Sequence, residues 1–73
     1  MLNIYDGVVN SLFWDRAIPP NRVTVDEDRG LVTLHGEVER AYESSCAEED
    51  ALRVPGVIGV KNEITVHAAH VFN

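Results

Sequence analysis

The sequence is short of cysteine and of basic residues, and it lacks a long apolar run. Cys46 is its one cysteine, so the chain forms no internal disulfide and its fold needs no oxidising compartment. Six basic residues face twelve acidic ones, which gives a net charge of −6. This balance argues against nucleic acid as a partner, because nucleic-acid binding uses Lys and Arg to neutralise phosphates. General attraction to anionic lipid is disfavoured for the same reason.

Length and hydropathy limit the chain to one small domain of 73 residues. No stretch approaches the roughly 20 apolar residues of a membrane span, and no signal-peptide pattern opens the sequence. The chain as it stands is therefore expected in the cytoplasm, or in the periplasm or cell envelope if it is excised from a longer protein. A core of this size rarely yields more than about 3–5 kcal/mol of net stability. Self-association or attachment to a longer chain would help such a domain.

A helix is predicted from Ile4 to Trp14 by the spacing of apolar residues. Asn3 is its expected N-cap, and Pro19 and Pro20 prevent its continuation. Trp14 falls on the polar side of the helix. The half of the helix expected to be buried consists of Ile4, Tyr5, Val8, Val9, Leu12 and Phe13.

Alternating residues next predict a β-hairpin. Its first strand covers residues 22–26, and the polar segment DEDRG suits a loop of about three to five residues. Gly30 is expected to take the positive φ that such a loop needs. In the second strand Gly36 shares a face with the apolar residues Val32, Leu34 and Val38. Either the strand bulges at Gly36 or another part of the chain comes close there.

The next helix, at about residues 40–54, supplies a candidate for that close approach. Its narrow stripe of small residues includes Ala47 and Ala51, so its backbone can lie close to a sheet, and we interpret Gly36 as the position that makes room for it. Pro55 and Gly56 end this helix. A third strand is predicted at residues 60–66, in which Asn62 shares the apolar face and is expected to satisfy backbone groups.

The predicted order is α-β-β-α-β, an α+β fold with two helices packed on one face of a three-stranded sheet. Both helices cover the same face because only one face of the sheet is apolar. The pattern leaves open whether the third strand pairs with the first strand or with the second.

Two strings in the sequence resemble a known family. VTVDEDRGLVTLHGEVE and VPGVIGVKNEITV, with Ala47 and Ala51 between them, are similar to the BON domain, named after bacterial osmotic-stress and nodulation proteins. The resemblance covers residues 4–66 and leaves 67–73 as a tail. It implies an α/β module without enzymatic activity and without a cofactor. It also implies binding to proteins or to phospholipid surfaces, often in the cell envelope, and in one group of the family potassium sensing.

The candidate contact residues lie in two places. Phe13 and Trp14 end the first helix, where Trp14 either anchors a partner or lipid surface or folds under the turn at Ile18 as a lid on the core. The other three residues lie on the outward face of the sheet, which no predicted element covers: Leu31, Thr33 and His35. We expect protein contact or self-association, with membrane lipid as the alternative.

No residue pattern predicts catalysis or a metal site. Cys46 is expected to be an inert thiol near Arg53, which would lower its pKa somewhat. His35 and Glu37 are spaced as an acid–base pair on one strand, but no nucleophile accompanies them. His67 and His70 match no strong metal-binding motif, so these histidines are expected to be solvated.

Overall fold

A computed structural model describes residues 3–19 and 21–67 of the chain. His70 and all of the expected tail except His67 lie outside the described residues. The order α-β-β-α-β is confirmed. The five elements are α1 (Ile4–Trp14), β1 (Val23–Asp28), β2 (Leu31–Val38), α2 (Ala41–Leu52) and β3 (Gly59–Val66).

The three strands form one mixed sheet in the order β1-β2-β3. β1 runs antiparallel to β2, whereas β3 runs parallel to β2. The third strand therefore pairs with the second, which settles the placement that the sequence left open. α2 supplies the crossover that two adjacent parallel strands require.

The hairpin turn is tighter than the sequence predicted. Only Arg29 and Gly30 lie between the strands, with φ of +55° and +91°, which are the dihedrals of a type I′ turn. Glu27 accepts a hydrogen bond from the Gly30 N–H at 2.9 Å. The expected loop at residues 26–30 is therefore wrong. Asp26 and Asp28 are exposed residues of β1, and their charge reflects the solvent-facing side of a strand.

The hydrophobic core lies between the two helices and one face of the sheet. α1 packs mainly on β1 and α2, and α2 packs on β2 and β3. Ala47 and Ala51 are fully buried, as a helix that lies close to a sheet requires. The α+β class with both helices on one face is thus confirmed. The buried apolar side chains are Val8, Leu12, Ile18, Val32, Leu34, Val38, Ala47 and Ala51.

The buried side of α1 is rotated from the expected one. Gly7 faces Val54, and a Cβ on Gly7 would lie only 2.9 Å from Val54 Cγ1. Because this glycine lets α1 approach the end of α2, the helix turns its opposite flank outward. Three residues expected in the core are therefore exposed: Tyr5 at 44%, Val9 at 39% and Phe13 at 73%.

The part of the chain that lies close to Gly36 is not the one expected. Its φ is +144°, and a Cβ there would collide with the Arg22 carbonyl oxygen and lie 2.9 Å from Val23 Cα. The interpretation that Gly36 makes room for the second helix is wrong. The chain that enters β1 is what approaches it, in register with Gly36.

Asn62 attaches α2 to the sheet, and Gly56 follows the end of that helix. The Asn62 Nδ2 group donates to Ser44 Oγ at 2.9 Å and to Glu48 Oε1 at 3.1 Å. Its Oδ1 accepts from the Ile64 N–H at 3.0 Å, so the expectation that Asn62 satisfies a backbone group is confirmed. Gly56 follows the helix with φ of +96°, a conformation that suits glycine after a helix end.

Candidate interaction surface

The C-terminal end of α1 presents two aromatic rings to solvent. Phe13 and Trp14 are each 73% exposed, and their ring centroids lie 5.4 Å apart in an edge-to-face arrangement. The turn that follows is fixed by Asp15, whose Oδ1 accepts from the Ala17 N–H at 2.8 Å. Ile18, rather than Trp14, closes the core after this turn. Trp14 is therefore not a lid on the core.

A groove of about 440 Å³ runs between α1 and β1, and we call it the α1–β1 groove. Apolar side chains form most of its wall, and the exposed flank of α1 is one side of it. These apolar lining residues are Tyr5, Val9, Leu12, Phe13, Ile18, Pro19, Val23 and Val25.

The outward face of the sheet is polar and carries exposed pairs of charged or titratable side chains. Leu31 is 49% exposed and lies beside Gly59. His35 Nδ1 lies 3.4 Å from Glu63 Oε1, and Lys61 Nζ lies 3.3 Å from Glu63 Oε2. Exposed pairs of this kind contribute little stability, and this face has fewer apolar groups to offer a partner than the α1–β1 groove.

The acid–base pair considered for His35 and Glu37 does not form. His35 contacts Glu63 on the neighbouring strand, while Glu37 Oε2 lies 3.5 Å from His67 Nε2. Both side chains point to the same face of the sheet, but His35 contacts a residue of β3 and Glu37 contacts the residue that follows β3. Among the described residues, no group of three or more His, Cys, Asp or Glu side chains is placed to hold a metal ion. The described helices also include none that is long and apolar enough to span a bilayer.

Asp15 and Asp50 form a carboxyl pair that the sequence did not reveal. Burial raises the pKa of Asp50 to about 6, and the neighbouring Asp15 adds to that rise. Hydrogen bonds from protonated Asp50 and from the Ala17 N–H hold the pKa of Asp15 below its ordinary value. The two residues are far apart in the sequence, so local spacing gives no signal of their contact.

Cys46 is half-buried against the core, beside this carboxyl pair. Burial raises the pKa of its thiol, and the carboxylates of Asp15, Glu49 and Asp50 raise it further. Arg53 lowers this pKa, as expected, but the other effects outweigh it, so the net shift is upward. A thiol with a raised pKa is a poor nucleophile at neutral pH.

Comparison with known proteins identifies one family. The family model described as BON domain matches residues 3–68, which include every helix and strand given above. No curated protein matches the chain.

Proposed function

The chain belongs to the BON domain family, and from this premise we propose that it is a non-catalytic interaction module that works by protein contact or self-association. Osmotic or envelope stress is the setting that fits the family. The observation that carries the proposal is the exposure of Phe13 and Trp14, each 73% accessible, together with the apolar α1–β1 groove that Phe13 lines.

Burial of this surface supplies a driving force for association. Covering one large apolar side chain contributes about 1.5–3 kcal/mol, and Tyr5, Val9, Phe13 and Trp14 are all exposed along one helix. Aromatic residues are the common anchors of protein interfaces. A small domain that leaves them uncovered gains stability from a partner that covers them.

Charge favours a protein over a lipid surface as that partner. The net charge of −6 opposes approach to anionic headgroups, whereas a protein partner can place individual basic residues opposite acidic ones. The exposed aromatic pair nevertheless suits the boundary between headgroups and acyl chains. Membrane-surface binding is therefore the second candidate, with weak affinity that does not fall as salt is added.

Trp14 is the single tryptophan of the chain, so its fluorescence tests both candidates. Emission should shift to shorter wavelength as protein concentration rises, or when a partner covers the ring. Vesicles of phosphatidylcholine, with and without phosphatidylglycerol, test the lipid candidate in the same assay. Replacing Leu52, which is 51% exposed on α2, by Ala serves as the control.

The contrary result is also defined. Two results together overturn the proposal. Trp14 emission stays that of a solvated ring at every protein concentration and with both kinds of vesicle, and the double variant F13A/W14A captures the same proteins as wild type. The potassium-sensing alternative stays a prediction, checked by comparing melting temperatures in potassium and sodium chloride.

A further inference from the structure

β1 is an edge strand with one side unpaired. It pairs with β2 along one edge, and among residues 3–19 and 21–67 no strand lies along the other. Unpaired strand edges carry N–H and C=O groups that can bond another strand. The α1–β1 groove is lined by Val23, Thr24 and Val25 of β1, so α1 does not fill the space beside these residues.

The hydrogen-bond pattern shows which backbone groups face outward. The Glu37 N–H donates to the Arg22 carbonyl at 3.2 Å, which makes these two residues a bonded pair. Bonded and non-bonded pairs alternate along an antiparallel ladder. Val23 and Val25 are therefore non-bonded opposite β2, and their N–H and C=O groups point to the open edge.

The sequence of β1 complements itself when two copies run antiparallel about a two-fold axis at Thr24. In that register Val23 of each copy lies opposite Val25 of the other, and these are the residues whose backbone groups face outward. Thr24 lies opposite Thr24, and Arg22 of each copy lies opposite Asp26 of the other. Apolar, hydroxyl and opposite-charge residues are thus each matched with a favourable cross-strand partner.

We propose that the open edge of β1 binds the same edge of a second copy of this chain, in the register that sets Thr24 opposite Thr24. The inference rests on the proposed function and names the partner of the interaction module. Backbone hydrogen bonds from Val23 and Val25 join the two sheets. The contact is isologous, as expected for a two-fold dimer.

The groove explains why the contact uses this edge. Val23 and Val25 point to the helix-bearing face, where they line the α1–β1 groove with Tyr5, Val9 and Phe13. A second copy along β1 extends the sheet beneath the exposed flank of α1. Apolar side chains that one chain leaves in water are then covered by the other, in addition to the strand pairing.

The opposite edge of the sheet offers a poorer match. On β3 the exposed Lys61 and Glu63 already form an ion pair with each other, and Glu63 also contacts His35. These charges are already matched within one chain, so they offer a second copy less than unpaired charges would. β1 has no comparable pair to break, because Arg22 and Asp26 make no ion pair within the described chain.

Thr24→Lys is the decisive variant. Thr24 is exposed and points away from the core, so the substitution leaves the folded chain intact while placing two ammonium groups opposite each other at the axis. We expect sedimentation equilibrium to show dimerisation weakened about fivefold, because like charges directly opposite each other are unfavourable. Thr65→Lys adds the same charge to an exposed position on β3 and should leave dimerisation unchanged.

A charge exchange tests the register itself. Arg22→Asp and Asp26→Arg should each weaken the dimer, because each sets like charges opposite one another. The double variant R22D/D26R restores opposite charges and should recover the wild-type dissociation constant. Recovery is specific to a register in which position 22 faces position 26.

Amide exchange gives a direct readout at the edge. The Val23 and Val25 amides should become protected as concentration rises, while those of Thr24 and Asp26, already bonded to β2, should change little. A wild-type chain that stays monomeric at high concentration overturns the proposal, as does a dimer weakened by Thr65→Lys but not by Thr24→Lys. A monomeric T24K chain whose Trp14 still responds to a partner or vesicles preserves the proposed function, so the two failures are distinguishable.

Discussion

The carboxyl groups of Asp15 and Asp50 face each other where the turn after α1 meets the last turns of α2. Two carboxylates share a hydrogen bond only when one of them holds a proton. Asp50 is that one, because burial and the neighbouring Asp15 raise its pKa to about 6. One oxygen of Asp50 is buried without a hydrogen-bond partner among the described residues, which adds to the cost of ionising it.

Asp50→Asn should stabilise the domain at neutral pH. The pKa of Asp50 rises from 3.8 to about 6 on folding, so its contribution to stability is full below pH 3.8 and is lost as pH rises through 6. The Asn side chain of the variant is neutral at every pH in this range, so the variant does not lose stability as the pH rises. We expect the free energy of unfolding at pH 7 to rise by about 0.5–1 kcal/mol, since solvent screens a group that is only partly buried.

Urea titrations between pH 4 and pH 8 check this expectation. The lowered pKa of Asp15 acts the opposite way and at lower pH: its contribution is present above the ordinary value and is lost as pH falls. Asp28→Asn is the control, because the Asp28 side chain is 89% exposed. If stability falls as steeply between pH 5 and pH 7 in D50N as in wild type, the assignment to Asp50 is wrong.

Gly36→Ala should destabilise the domain strongly. The added Cβ would collide with the backbone at Arg22, and the φ of +144° is one that L-residues rarely adopt. Backbone atoms cannot move aside as a flexible side chain can, so we expect a loss of about 2–4 kcal/mol. Gly59→Ala is the matched control, because its added Cβ would meet only Leu31 Cδ1 at 3.3 Å. This substitution should lower the free energy of unfolding by less than about 1 kcal/mol. Equal losses in the two variants would contradict this explanation.

Local signals in the sequence predicted much of the fold. The bounds of α1 follow from Asn3, whose side chain accepts from the Asp6 N–H at 2.8 Å, and from the apolar spacing. The turn at Gly30 and the inward direction of Asn62 also follow from neighbouring residues. Each of these features depends on interactions within a few positions or on the two-residue period of a strand.

Apart from the hairpin loop, where exposed charged residues of β1 resemble a loop locally, the features that the sequence pattern does not predict depend on distant contacts. The rotation of α1 is set by Gly7 against Val54, and the carboxyl pair joins Asp15 to Asp50. Neither contact leaves a trace in local spacing. Phe13 and Trp14 are both predicted as contact residues and both are exposed, although the apolar spacing also places Phe13 on the half of the helix expected to be buried. The open edge of β1 follows from the pairing of β3 with β2, which the sequence pattern leaves open.

Asn62→Ala should loosen α2 from the sheet. The amide joins Ser44 and Glu48 of α2 to the backbone of β3 at Ile64, and its removal leaves several part-buried groups without their partner. We expect a loss of about 1–3 kcal/mol in the free energy of unfolding. Asn10→Ala, at an exposed position of α1, should change stability by less than about 0.5 kcal/mol. A similar small change in both variants would show that the Asn62 contacts carry little free energy.

Val8 and Val9 give the sharpest test of how α1 is oriented, because the apolar pattern treats them as equivalent. Val8 is fully buried and Val9 is 39% exposed. Val8→Ala should therefore cost about 2 kcal/mol through lost burial and an unfilled cavity, whereas Val9→Ala should cost well under 1 kcal/mol. Thermal unfolding measures both losses of stability. It is done at low protein concentration, so that association through the α1–β1 groove does not stabilise the wild-type protein. If the two substitutions cost the same, the helix is not rotated as Gly7 requires, and the exposed flank on which the interaction surface depends is lost.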